Sequence, residues 1–229
     1  MEYLLKANGT VKQCFVEDCH RIGQLLYWQK CGADCIQVRE YKQLRWLLIN
    51  DTLQSVVTTD DPSQLHFPHL QHLAKLWQSI PVPQSILELG LGGGAIHNYL
   101  RLTYPNCNLI SIEKNPDIIH CYTHFFDKKS DSNLRCLDAE IELEREQVYD
   151  WIILDLFSKL DVPLFLYKQQ FYRKIYKKLS KNGCLFINFL SQHDSQLKQL
   201  ESILLRTFSI QPTIKHISGY ANHIVLLKK

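Results

Sequence analysis

The sequence predicts an α/β protein: a doubly wound, mostly parallel seven-stranded sheet with an antiparallel C-terminal hairpin, preceded by a small N-terminal β-meander domain. Three observations predict it. From residue 84 onward, short apolar runs alternate with helical stretches almost without interruption. Runs such as WIILD (151–155) and CLFINFL (184–190) are continuously apolar, as strands covered on both faces should be. Between 33 and 59 the pattern changes to short β-rich runs with polar breaks, which reads as hairpin-linked antiparallel strands.

In chain order, CIQVREY, RWLLIN and LQSVVTT are the three strands of the meander, separated by KQL and by Asn50-Asp51. Three strands bury too little apolar surface to be stable alone, so the meander must lean on a larger body. Asp60, Asp61, Pro62 and Ser63 supply helix-start chemistry, and Leu70, Leu73, Leu76 and Trp77 form an apolar stripe that packs the meander onto the rest. Pro81 and Pro83 mark a linker. Strands are then expected at about 85–90, 108–113, 134–138, 150–155 and 183–189. Helices are expected near 94–104, 116–127, 168–180 and 193–207, with a short one at 139–147. Two last β segments, Phe208–Pro212 and His223–Leu227, make the antiparallel edge pair. The expected organisation is an N-terminal β-rich domain (1–60), a connecting helix and linker (61–83) and a nucleotide-binding domain (84–229).

At 229 residues and 45% hydrophobic, the chain is long enough for one substantial α/β domain with a small appendage. A net charge of +3, with basic residues dispersed except for pairs such as Lys128-Lys129 and Lys177-Lys178, predicts no nucleic-acid partner. No apolar run approaches the ~18–20 residues of a membrane span, and MEYLLKANGT lacks signal-peptide character. A cytoplasmic protein with no membrane attachment is expected. The eight cysteines read as reduced, mostly buried thiols. Cys14, Cys19, Cys31 and Cys35 beside His20 are too irregularly spaced for a zinc site, and His66, His69 and His72 are interrupted by Pro68 and lack an acidic partner. No metal is expected.

The chemistry concentrates at ILELGLGGG (86–94), an apolar strand carrying one acid, Glu88, and opening into glycines that run straight into a helix. Such a junction presents free backbone N–H groups and the positive end of a helix to an adenosine-type ligand. Gly90-x-Gly92-x-x-Ala95 followed by Glu113 also satisfies the dinucleotide pattern. Glu88 within the first strand and the terminal hairpin favour a different nucleoside fold. Glu113, Asp138 and Asp155 stand at successive strand ends, with Glu88 set slightly inside, all facing one crevice above the sheet.

These residues resemble the class I S-adenosylmethionine-dependent methyltransferase fold, and within it the spermidine synthase-like (polyamine aminopropyltransferase) branch, over about residues 34–229. ELGLGGG is similar to that family's first motif, which implicates Glu88, Gly90 and Gly92 in cofactor binding. The resemblance implies that Glu113 takes both ribose hydroxyls, that Asp138-Ala139 contacts the adenine, although Leu137 replaces the family's glycine, and that Asp155 is the general base toward the amine. Asn50-Asp51-Thr52-Leu53-Gln54 is similar to the turn whose glutamine, here Gln54, helps to hold the nucleoside.

The implied co-substrate is S-adenosylmethionine or its decarboxylated form, the implied partner a small-molecule amine or other small acceptor, and a homodimer through the meander is compatible with the family. The diamine side departs from the family. Gly93 replaces the acid of the glycine loop, Ser158 replaces a second acid, and Gln64-Leu65-His66 replaces a Tyr-His-Glu stretch. Asp161 is a loop acid that stands near the lost charges in sequence. Aminopropyl transfer to an amine is therefore expected, with methyl transfer to a non-nucleic-acid acceptor or a non-catalytic nucleoside-binding role as alternatives. Asp155 is followed by Leu156-Phe157-Ser158 and not by the Pro-Pro-aromatic of amino-methylating nucleic-acid enzymes.

Overall fold

A computed structural model describes residues 3–127, 133–156, 163–191 and 193–229. Ser158 and Asp161 lie outside the described residues. After the short helix α1 (Gln13–Asp18), strands β1 (Gln24–Cys31), β2 (Asp34–Tyr41), β3 (Leu44–Ile49) and β4 (Thr52–Thr58) form an antiparallel sheet in the order β1-β2-β3-β4. The meander thus has one strand more than its apolar runs announce. In β1, QLLYWQKC is exposed or half-exposed throughout, so it carries no burial pattern and owes its strand conformation to its pairing with β2.

Helix α2 spans Pro68–Gln78, with Pro68 in its first turn. The acids expected to open it belong instead to a preceding turn, where Asp61 accepts from the Ser63 hydroxyl (2.6 Å) and from Gln64 Nε2 (2.9 Å). The stripe performs as expected: Leu70, Leu73, Ala74 and Trp77 are buried, and Trp77 packs at 6.4 Å from Trp151 and 6.1 Å from Phe186 of the second sheet. One continuous core therefore joins the meander to the larger sheet.

That sheet comprises β5 (Ser85–Leu89), β6 (Asn108–Glu113), β7 (Leu134–Cys136), β8 (Tyr149–Leu154), β9 (Leu179–Leu190), β10 (Thr213–His216) and β11 (Asn222–Lys228). Their order is β10-β11-β9-β8-β5-β6-β7. Helices α3 (Ala95–Thr103), α4 (Pro116–Cys121), α5 (Ala139–Glu142), α6 (Gln169–Lys178) and α7 (Asp194–Phe208) cover the two faces. Alternate residues of β5 enter different cores, Ile86 on one face and Leu87 and Leu89 on the other, which explains why the run shows no polar alternation.

Several boundaries differ from expectation, among them that of β9, which begins at Leu179 where a helix to 180 and a strand from 183 are expected. Phe208 and its neighbours are not a strand: Leu200, Leu204 and Phe208 bury at helical spacing, so α7 continues to Phe208 and β10 begins at Thr213. Only β11 opposes the sheet direction, because it inserts between β9 and β10 and is antiparallel to both. The helix expected over 139–147 shortens to Ala139–Glu142, and that over 116–127 ends in a π-helical turn, Tyr122–Phe126, whose Tyr122 hydroxyl donates to Asn98 Oδ1 (2.8 Å).

Among the described residues no helix is long and apolar enough to cross a membrane. All eight cysteines are free, and only Cys19, Cys121 and Cys184 are buried, fewer than the composition suggests.

Candidate functional site

The chain leaves β5 for β6 and β7 on one side and returns to β8 on the other, so the strand order reverses beside β5. A crevice opens at such a switch point, above the C-terminal ends of the strands. Here it holds a cavity of about 260 Å³ lined by Gln54, Gly90, Gly92, Glu113, Asp138, Ala139 and Asp155, together with apolar residues that include Ile112, Ile118 and Leu137. Seven of the eight residues singled out from the sequence therefore line one space. They reach it from the ends of β5, β6, β7 and β8 and, for Gln54, from β4 of the small sheet.

The carboxylate of Glu113, ending β6, organises the glycine loop. Its Oε2 accepts from Leu91 N (3.4 Å) and its Oε1 from Asn115 N (2.9 Å). Burial raises its pKa, opposed by those backbone N–H groups and that of Gly92, and by nearby Lys114. Asp138 caps α5, its Oδ1 accepting from Glu140 N (2.8 Å), and so presents itself and Ala139 at the cavity wall.

Asp155 follows β8, its amide donating to Leu89 O (2.9 Å). Its Oδ1 accepts from Asn188 Nδ2 (2.7 Å), and Asn188 Oδ1 in turn accepts from Asn222 Nδ2 (2.9 Å). Burial pushes the Asp155 carboxyl from the usual 3.8 up to about 7; the Asn188 hydrogen bond opposes the shift and the Glu88 charge adds to it.

Glu88 is the exception to the expected set. It is 0% exposed and does not line the cavity. In β5 its side chain shares a face with Ile86 and turns away from the crevice, where Ser111 Oγ donates to Glu88 Oε2. His97 Nδ1 lies 2.7 Å from Ser111 Oγ and 3.6 Å from the same carboxylate oxygen. The alternation of a strand decides this: an acid two residues before the glycine points into the layer under α3. Glu88 thus acts on the site through its field on Asp155 and through the packing of β5 against β6.

Gly93, at the position where the resemblance implies an acid, leaves no room for one. Its N–H donates to Ser55 Oγ (2.9 Å), and a Cβ on it would stand 2.7 Å from Ser55 Cβ. Ser55, Asn188 and Asn222 are residues that the sequence reading misses. Asn188 alone carries a visible signal, a single amide inside the apolar run CLFINFL.

Beyond Asp155 lies a second cavity of about 180 Å³, lined by residues of β4, α2 and α3 with Leu190, Tyr220 and Asn222. It shares Gln54, Ser55, Leu91 and Asp155 with the first. Among the described residues no group of three or more His, Cys, Asp and Glu side chains is arranged to hold a metal. His66 is bound to Thr58 Oγ1 (2.6 Å) and Gly9 O (2.8 Å), away from His69, which lines the second cavity.

Fold and crevice define the class: this is a class I methyltransferase-like α/β protein whose small antiparallel sheet contributes Gln54 and Ser55 to the wall of the crevice. Within that class its sequence is similar to polyamine aminopropyltransferases. It is 29% identical over 199 residues to a polyamine aminopropyltransferase of Vibrio vulnificus, an alignment covering 81% of this chain and 66% of that relative. The chain thus spans just under two thirds of that relative's length. It is also 28% identical over 160 residues to an eEF1A lysine and N-terminal methyltransferase of Danio rerio, covering 63% of this chain and 23% of that protein. A probable spermidine synthase from Corynebacterium glutamicum shares the fold with a TM-score of 0.76 at 19% identity, over 90% of this chain and 80% of the other. No protein-family profile matches the chain.

Proposed function

We propose that the protein is a transferase that binds S-adenosylmethionine or its decarboxylated form in the 260 Å³ cavity and passes an alkyl group, aminopropyl in the first reading, to an amine. One observation carries this. Among the described residues Asp155 is the one carboxylate that lines both cavities, and it is desolvated enough to hold or release a proton near neutrality.

The donor set suits such a co-substrate. Glu113 offers paired carboxylate oxygens for vicinal hydroxyls, Ile112, Ile118 and Leu137 offer apolar faces for a base, and Asp138 and Gln54 offer polar edges. The bound co-substrate supplies an electrophilic carbon and a neutral thioether leaving group. Asp155 takes the proton of the incoming ammonium, Asn188 holds the carboxylate in place, and the packed small sheet keeps bulk water off the crevice. Product formation tests the reading: release of methylthioadenosine from the decarboxylated donor, or of S-adenosylhomocysteine from the intact one, no faster than in Asp155→Asn would end it.

Glu113→Gln should weaken methylthioadenosine binding by about ten- to a hundredfold, the worth of one charge-assisted hydrogen bond, read by calorimetry.

Methyl transfer to a non-nucleic-acid acceptor is the second reading, and the packing at Gly93 favours it, because the loop has no space for the acid that a diamine would meet. Gly93→Asp is accordingly expected to destabilise the fold by about 1–3 kcal/mol through overpacking against Ser55, with no gain in turnover on a diamine. Denaturant unfolding and a diamine assay check the two parts, and a gain in diamine turnover would count against this second reading.

A further inference from the structure

The second cavity has a chemistry that does not match a dication. Its wall is largely apolar, with Leu53, Phe67, Leu70, Ile96 and Leu190; its other polar residues, Gln54, Ser55, Tyr220 and Asn222 among them, carry no charge, and Asp155 is its one carboxylate among the described residues. The ring of Phe67 stacks on that of His69 at 5.2 Å and 21°. His69 Nδ1 is sealed from water without a hydrogen-bond partner, and burial holds the imidazole neutral, its pKa pushed down to about 3. The only formal charge facing this space from the described residues is therefore the single carboxylate it shares with the first cavity. The volume of about 180 Å³ is close to the ~150 Å³ of an apolar cavity that takes one benzene ring.

From this wall we infer that the acceptor is a monoamine with an apolar body the size of one ring or a six-carbon chain, its nitrogen at Asp155 and its body between the Phe67–His69 pair and Leu53, Leu70 and Leu190. The inference rests on the transferase reading for the chemistry and on the cavity wall for the specificity. One ammonium is balanced by one carboxylate. A second ammonium, as in a short diamine, would be buried against neutral His69 and Phe67 with no counter-charge, an arrangement that desolvation disfavours strongly. In the reaction Asp155 accepts one proton from the ammonium, and the freed nitrogen lone pair forms a bond to the carbon beside sulfur. The carbon–sulfur bond breaks with its electron pair passing to sulfur, and the product is a secondary ammonium and a neutral thioether.

The experiment is calorimetry on the full chain saturated with methylthioadenosine, titrated with hexylamine, phenethylamine and 1,4-diaminobutane, followed by turnover of the same amines with each donor. Hexylamine or phenethylamine is expected to bind at least tenfold more tightly than the diamine, and Leu53→Asp, on a half-buried strand position, is expected to reverse that order. His69→Phe, which keeps a ring and removes the orphaned nitrogen, should retain the monoamine preference and guards against a folding failure in the first variant. Tighter binding of the diamine overturns the inference and leaves the transferase reading standing. Monoamine preference without release of thioether from either donor overturns the transferase reading and leaves the specificity of the cavity standing.

Discussion

Replacing Asp155 by Asn is expected to lower turnover by about 10²–10⁴-fold while leaving nucleoside binding within a few-fold, because it removes the base and preserves the shape. Asn keeps an oxygen to accept from Asn188 Nδ2, so the Asn222–Asn188 relay survives. The pH profile gives the sharper reading. A base acts only when deprotonated, and the Asp155 carboxyl is pushed up to about 7, so kcat/KM of the native protein should rise as pH climbs through about 7 and level off above it. An aspartate with its ordinary pKa would give a flat profile above pH 5.

The same shift has a consequence for folding. A carboxyl whose pKa is higher in the folded than in the unfolded chain favours folding most below the unfolded value near 4, and that contribution is lost as pH rises through about 7. Asp155→Asn should therefore be more resistant to denaturant than the native protein at pH 8 and not at pH 4. A pH-independent kcat/KM in the native protein between 6 and 8 would remove Asp155 from the role of base.

Gly90→Ala is expected to destabilise the protein by about 3 kcal/mol or more and to abolish activity along with it. Gly90 has φ +101°, in the left-handed region that side chains avoid. A Cβ there would stand 2.2 Å from the carbonyl oxygen of Asp155 and 2.9 Å from its carbon. Backbone cannot swing aside as a side chain can. Gly90 N is bonded to Ile112 O (2.9 Å) and Asp155 N to Leu89 O (2.9 Å), so any relief must part β5 from β6 or β8 and move the base itself. Denaturant midpoints and turnover measured on the same sample check this, and an Ala variant of native stability would show that the loop relaxes where its hydrogen bonds say it cannot.

The second sheet is largely legible because its strands are buried on both faces: continuous apolar runs ended by Gly90, Glu113 and Asp155 need no partner to be recognised. β1 is not legible, since its exposed Gln24, Leu25, Trp28, Gln29 and Lys30 side chains have no pattern and only the backbone of β2 makes them a strand. Residues 208–212 mislead for the opposite reason, because Phe208 belongs to the α7 stripe begun by Leu200 and Leu204 while its local sequence is β-like. In the site, acids at strand ends point where the topology sends them, but Glu88, one step inside the strand, is turned beneath the sheet by strand alternation and closed off by Ser111 and His97.

By itself the sequence determined the class of fold, the position of the crevice and the strand-end acids and glycines on its wall, because periodicity, glycine geometry and strand-end acids are properties of short segments. Only the tertiary structure decided that Glu88 stays out of the cavity and that Gly93 has no space for an acid beside Ser55. It alone brought Phe67, at the cap of α2, and His69 and Leu70 of that helix into one cavity with Asp155. Those decisions rest on which side chains meet across elements far apart in the chain, and the desolvation that raises Asp155 comes from that meeting and not from any local pattern of residues.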